Sequence, residues 1–194
     1  MADLTTLRRS PLMHLADRMA AASASATVSL SETAYLGMVS LRVDPSSPAA
    51  ARAAAVLGAP PPTHCGETTG TGDQQTLWLG PDEWLVVTAN DPVALVHRLD
   101  AGIGEDPGLA LDVSANRTVI EFTGPQARTV LEKGCPVDLH PRAYGPDRAV
   151  ITTLARVPVL LWQTDDNTYR LLPRSSFAEY VARWLLDAMQ EFTT

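Results

Sequence analysis

Asp112-Val113-Ser114-Ala115-Asn116-Arg117 leads into Thr118-Val119-Ile120-Glu121-Phe122-Thr123-Gly124-Pro125-Gln126-Ala127-Arg128, and the run leaves through Lys133-Gly134-Cys135-Pro136-Val137-Asp138-Leu139-His140-Pro141. Thr118 to Phe122 alternate in character, which predicts a half-buried strand. Gly124-Pro125 is expected to open a helix, because proline at the first helical position has its φ preset and gives up only an amide that would lack a partner. Ala127, Val130 and Leu131 give that helix one apolar stripe. Gly134 follows the last periodic residue, where a left-handed glycine would satisfy the terminal carbonyls. A strand followed closely by a capped helix points to a mixed α+β chain.

Working outward, the N-terminal half shows a related order. A strand over Leu36 to Val43 precedes a helix that Ser47-Pro48 opens and Gly58 ends. Pro60-Pro61-Pro62 breaks the chain, and Gly66 to Gly72 reads as a flexible loop. Thr76 to Leu79 and Glu83 to Thr88 are short strands joined by Gly80-Pro81-Asp82, turn chemistry suited to a hairpin. Asp91-Pro92 caps a helix with Leu95, Val96 and Leu99 on one face and Gly102 at its end, and Leu109 to Val113 is a further strand.

After the opening segment come strands over Val150 to Leu154 and Val157 to Trp162, then a turn at Asp165-Asp166-Asn167 into Thr168 to Leu172. Pro158 within such a run marks an edge strand or a bulge. The last helix has Ser176 and Glu179 at capping-box spacing and Phe177, Tyr180, Val181, Trp184, Leu185 and Ala188 at helical spacing. Each half thus ends in a hairpin followed by a capped helix. We read a duplicated α/β plait: two ferredoxin-like lobes of antiparallel sheet with helices packed on one face. The expected organisation is an arm over 1–26, a first lobe over 27–111 and a second over 112–194.

Composition narrows the function. The chain has 194 residues, a hydrophobic content of 45% and a formal charge of −7. That acidity and the lack of a basic track argue against nucleic acid, whose binding requires cations that displace counterions. No apolar run approaches the roughly 20 residues that span a bilayer, so no membrane partner is expected. The N-terminal segment carries Arg8, Arg9 and Arg18 with a small-residue tail, yet Asp3 and Asp17 and the missing apolar block speak against a targeting peptide. Leu12, Leu15 and Met19 fall at helical spacing after Pro11, which suggests an amphipathic arm suited to docking on a neighbour. Cys65 and Cys135 read as reduced thiols, consistent with the cytoplasm.

No coherent catalytic constellation emerges. Of His14, His64, His97 and His140, the pair His64-Cys65 with Cys135 and His140 matches no zinc spacing. Gly66-Glu67-Thr68-Thr69-Gly70-Thr71-Gly72 lacks the lysine and hydroxyl of a phosphate loop and precedes a strand. Asp112, ahead of Ser114 and Asn116, fits a structural turn. Trp78, Trp84 and Trp162 fall on strands and suit core packing, while tryptophan also anchors interfaces.

Three groups of residues together resemble the gamma-subunit family of heterotetrameric sarcosine oxidase. They are the opening segment, Arg174-Ser175-Ser176-Phe177-Ala178-Glu179-Tyr180, and Trp184-Leu185-Leu186-Asp187-Ala188. The likeness is strong over about 112–192 and thinner before it, where Arg9-Ser10-Pro11-Leu12 and Leu79-Gly80-Pro81-Asp82-Glu83-Trp84 carry it. The resemblance implies an aminomethyltransferase-like fold and a non-catalytic assembly subunit. Its complex would oxidatively demethylate sarcosine to glycine with oxygen and tetrahydrofolate, giving hydrogen peroxide and methylenetetrahydrofolate. It further implies that alpha, beta and delta partners, the larger ones flavin-bearing, hold the FAD, FMN, NAD and zinc, with no cofactor in this chain.

The related folate enzymes place an acid at the start of a strand that corresponds to Val157 to Leu161. Val157 and Pro158 stand there, with Arg156 before them, so transferase chemistry is not expected. A freestanding folate-binding aminomethyltransferase-like or transfer-RNA-modifying protein is the alternative. Arg9, Pro11, Leu12, Leu15, Arg117, Arg142 and Arg174 are the expected partner contacts, guanidinium forks being suited to acidic groups across an interface.

Overall fold

The computed structural model describes residues 7–193, so residues 1–6 of the expected arm, Asp3 among them, and residue 194 lie outside it. The strands are β1 (Ser29–Glu32), β2 (Gly37–Val43), β3 (Gly66–Thr71), β4 (Gln74–Gly80), β5 (Glu83–Thr88), β6 (Gly108–Asp112), β7 (Ile120–Thr123), β8 (Arg148–Leu154), β9 (Val157–Asp165) and β10 (Thr168–Pro173). The helices are α1 (Ala16–Ala22), α2 (Pro48–Leu57), α3 (Pro92–Ile103), α4 (Ala127–Glu132) and α5 (Ala178–Ala188). All strand pairs named below are antiparallel, and the strands form one sheet in the order β1-β7-β10-β9-β8-β3-β4-β5-β2-β6.

That order reads alike from either end. In the first half β2, β4, β5 and β6 with α2 and α3 make a ferredoxin-like unit, and β3 is added beside β4. In the second half β7, β9 and β10 occupy the equivalent places and β8 is the added strand, but the outermost strand is β1, which comes from near the N-terminus. Segment 27–32 therefore serves the second-half sheet, although it heads the stretch expected as the first lobe. The physical reason is pairing: Leu30 faces Phe122 in register, and both side chains lie in the second-half core.

Period-two alternation distributes the apolar side chains between three cores. Val39, Leu41, Trp84 and Val86 pack under α2 and α3. Ile120, Phe122, Leu161 and Leu171 pack under α4, α5 and the N-terminal arm. The opposite faces meet each other: Met38, Leu77, Leu85 and Val87 of the first half pack against Leu160, Trp162 and Leu172 of the second. The sheet curls at the short β3–β8 pairing so that its two halves stack face to face, with helices outside each.

Several local expectations give way to tertiary contacts. Gly66 to Gly72, expected as a loop, is mostly strand β3, because its threonines find partners on β4 and its start joins β8. Pro125 lies two residues before α4, whose N-cap is Gln126. Gly134 is not the left-handed cap; the α4 C-cap is Lys133 with φ −66°. Glycine is needed there for space, since a Cβ at Gly134 would stand 2.5 Å from Trp184 Cζ2. Gly102 lies inside α3, and Gly104 ends it. β9 is flanked by β8 and β10, so Pro158 is not on an edge strand. It pairs with Thr153 of β8, whereas β10 ends opposite Val159, so no β10 carbonyl waits for the N–H that proline lacks. The Ser176–Glu179 capping box does not form: Glu179 receives Arg183 Nε at 2.8 Å and lies 3.3 Å from His14 Nε2.

The arm is part of the second-half core. Leu12, Leu15 and Met19 are at most 5% exposed and share that core with Leu30 and Phe122. This corrects the reading of Leu12 and Leu15 as partner contacts: β1 and α5 already offer the apolar surface that their stripe requires. Ser23 Oγ accepts from Leu30 N–H at 2.8 Å and donates its one hydrogen to Met19 O at 2.7 Å, which satisfies an outward amide of the edge strand β1 and ties it to α1. Exposed strand edges invite unwanted pairing.

Candidate functional site

A cleft of about 410 Å³ opens where the arm, the β1–β2 connection and the segment between β6 and β7 meet. Arg8 and Arg9 stand on one wall with Pro11, and Arg117 stands on another beside Ser114 and Ser175. Tyr35 and Leu36 supply apolar surface above the buried Met38 and Val119.

Tyr35 sets the shape of the arm wall. Its backbone is left-handed at φ 66°, a conformation that costs a non-glycine residue about 1–2 kcal/mol and persists only where surrounding contacts hold it. Here the phenol donates to Arg8 O at 3.0 Å and the ring lies 4.8 Å from Arg8 Cζ, a cation–π distance. The arm is thus fastened at the cleft mouth by one side chain through both its hydroxyl and its ring.

Arg117 forms the other wall. Its main chain bridges that of Arg174, and its Nη1 donates to Leu172 O at 2.8 Å. Burial, and after it the neighbouring charge of Arg174, push the Arg117 guanidinium below its ordinary value. A guanidinium has five N–H donors. Among the described residues no carboxylate stands within ion-pair distance of Arg8, Arg9, Arg117 or Arg174. The nearby acids are engaged elsewhere. Glu32 accepts from Thr118 Oγ1 and from the Leu12 amide, the latter at 3.4 Å, and Asp112 accepts from the Ser114 amide at 2.9 Å.

Of the seven expected contacts, Arg9, Pro11 and Arg117 therefore line one cleft with Arg174 adjoining, Leu12 and Leu15 point into the core, and Arg142 lies apart in the loop after His140. Arg8 and Tyr35 were not among them. The adjacent Arg8-Arg9 pair is a visible signal, whereas nothing local foretells the left-handed backbone of Tyr35.

The other chemical candidates stay separate. Cys65 is exposed and Cys135 is buried, and burial raises the Cys135 thiol above its usual range. A titration with a thiol-reactive disulfide should therefore label Cys65 alone in the native chain and both thiols in denaturant; fast labelling of Cys135 in the native state would contradict this packing. Among the described residues no three His, Cys, Asp or Glu side chains converge as metal ligands would, and no helix is long and apolar enough to cross a membrane. Trp84 Nε1 donates to Pro62 O at 2.8 Å, while the indole N–H groups of Trp78 and Trp162 are buried without a protein acceptor.

Comparison with known proteins places this architecture. The family described as "Sarcosine oxidase, gamma subunit family" matches residues 42–191. The chain belongs to the sarcosine oxidase gamma subunit family. It is 46% identical to the sarcosine oxidase subunit gamma of Corynebacterium sp. (strain U-96), over 100% of this chain and 95% of that protein. It is 47% identical to the Arthrobacter sp. subunit over 98% and 94%. In three dimensions it superposes on a chain of the heterotetrameric sarcosine oxidase of Corynebacterium sp. U-96, solved with pyrrole 2-carboxylate, with a TM-score of 0.93 over 97% of both chains. A fold likeness extends to the glycine cleavage system aminomethyltransferase T of Bartonella henselae, at 13% identity and a TM-score of 0.65 over 87% of this chain and 48% of that one. The fold is α+β and aminomethyltransferase-like.

Proposed function

We propose that this chain is the non-catalytic assembly subunit of a cytoplasmic heterotetrameric sarcosine oxidase. That complex converts sarcosine to glycine with oxygen and tetrahydrofolate, yielding hydrogen peroxide and methylenetetrahydrofolate. The observation that carries the reading is the superposition, across nearly the whole of both chains, on a chain from a heterotetrameric sarcosine oxidase. On this reading the partners are alpha, beta and delta subunits, and FAD, FMN, NAD and zinc belong to them. The arm and the second half contribute contact surface, with Arg9, Pro11, Arg117 and Arg174 clustered on one side and Arg142 on another.

The test is recovery of the native assembly. Affinity purification of the tagged chain from its own cells at low ionic strength should bring down three further polypeptides with flavin absorbance. A colourless lone chain, or one that binds tetrahydrofolate saturably by calorimetry without partners, would refute the assignment.

A further inference from the structure

We infer that the cleft between the arm and the two sheet halves is a binding site for an organic carboxylate, held by Arg117 and completed by Arg8 and Arg9. The soluble-acid form of the inference stands apart from the assembly role proposed above; the partner-side-chain form rests on it. Both rest on a mismatch of charge and on the character of the walls. The chain carries a net charge of −7, yet three guanidinium groups line one cleft and a fourth adjoins it, none of them paired with a carboxylate among the described residues. Like charges gathered without counter-charges are unfavourable at close range. Arg117 bears this most directly, since it is half-buried, next to Arg174, and bound to only one carbonyl. A carboxylate accepting two of its free N–H groups would relieve both the repulsion and the lost hydration, in the planar bidentate geometry that guanidinium provides.

The walls choose between kinds of anion. Tyr35, Leu36 and Pro11 offer apolar surface that a hydrocarbon body can cover and a bare inorganic oxyanion cannot, over a floor closed by the buried Met38 and Val119. Asp112 also lines the cleft, a negative charge that the arginines must outweigh for any anion to bind, and it is already engaged by Ser114. The hydroxyl and ring of Tyr35 hold Arg8 on this wall, from a left-handed backbone of the kind that is maintained where geometry matters. The carboxylate has two chemical sources: a soluble acid, or an acidic side chain presented by a partner subunit.

The experiment separates them. The full-length chain is titrated with sodium succinate by calorimetry against sodium sulfate and sodium chloride at matched ionic strength. Arg117→Gln and Arg174→Gln are run beside it, and in parallel the same variants are tested for co-purification with the partner subunits. If a soluble acid is the ligand, succinate binds saturably and Arg117→Gln weakens it about tenfold or more, as loss of a charge-assisted pair should. If a partner side chain is the ligand, succinate does not bind the free chain, and Arg117→Gln instead reduces recovery of the complex in a salt-sensitive way. Should Arg117→Gln fail to fold, the exposed Arg174→Gln carries the test with a smaller expected change. Equal behaviour of wild type and variants in both arms, or sulfate binding as well as succinate, overturns the inference.

Discussion

Replacing Leu12 by alanine is expected to lower the unfolding free energy of the chain by about 3 kcal/mol, the usual cost of a cavity at a fully buried leucine. Leu12 has 0% of its surface exposed and lies in the same core as Leu15, Met19, Leu30 and Phe122. If the arm were instead a detachable strap that closes only on a neighbouring subunit, truncating this side chain would leave the isolated chain unchanged and would weaken assembly alone. Urea denaturation of the purified chain decides: a midpoint shifted well below wild type with an unchanged slope supports an integral arm, and coincident curves would disprove it. The contribution is large because the arm covers one edge of the sheet. Without its apolar stripe Leu30 would lose cover, and without Ser23 the outward amide of that residue would be left to water.

Gly124→Ala is expected to cost more, about 4 kcal/mol. Part is the penalty of about 1–3 kcal/mol for forcing atoms into a packed site, and part the 1–2 kcal/mol of a side chain in the left-handed half of conformational space. Gly124 has φ +123°, and a Cβ there would stand 2.4 Å from Thr27 O and 2.8 Å from Val28 Cα. The obstruction is backbone, so no rotamer change relieves it. That backbone is also fixed in place, because Gln126 N–H donates to Thr27 O at 3.1 Å and Gly124 N–H to Asn167 O at 3.0 Å. Gly58 provides the comparison. Its φ is +82° with no atom within 4 Å of a would-be Cβ, so Gly58→Ala should cost only about 1–2 kcal/mol. Equal denaturation midpoints for the two variants would show that the seam at Thr27 yields, contrary to this reading.

The elements that sequence reading located correctly are those whose ends are closed by their own neighbours. Ser47 accepts from the Ala50 amide at 3.3 Å and Gly58 caps the same helix in left-handed geometry. Asp91 accepts from the Val93 amide at 2.9 Å ahead of Pro92. Ser47 also donates to Asp44 O at 2.6 Å, so the partners of both side chains lie within three residues and the local signal decides. Where a distant group competes, it does not. Glu179 turns to Arg183 and His14 and leaves Ser176 unanswered, and Gly134 makes room for Trp184 instead of turning the chain.

The candidate site follows the same division. Arg9, Pro11, Arg117 and Arg174 could be singled out by residue type, but Leu12, next to Pro11 in the chain, and Leu15 on the same arm are turned into the core.

By itself the sequence determined the mixed α+β class, the alternation that assigns side chains to sheet faces, the capped helices α2 and α3, and the acidic charge balance. These depend on residues within a few positions of one another. Only the tertiary structure decided that β1 completes the far half of the sheet, that Gly66 to Thr71 is the strand joining the halves, and that the arginines of the arm and of the β6–β7 segment share one cleft. Each of those is a pairing between segments far apart in the chain, and its free energy exists only once both surfaces have been brought together.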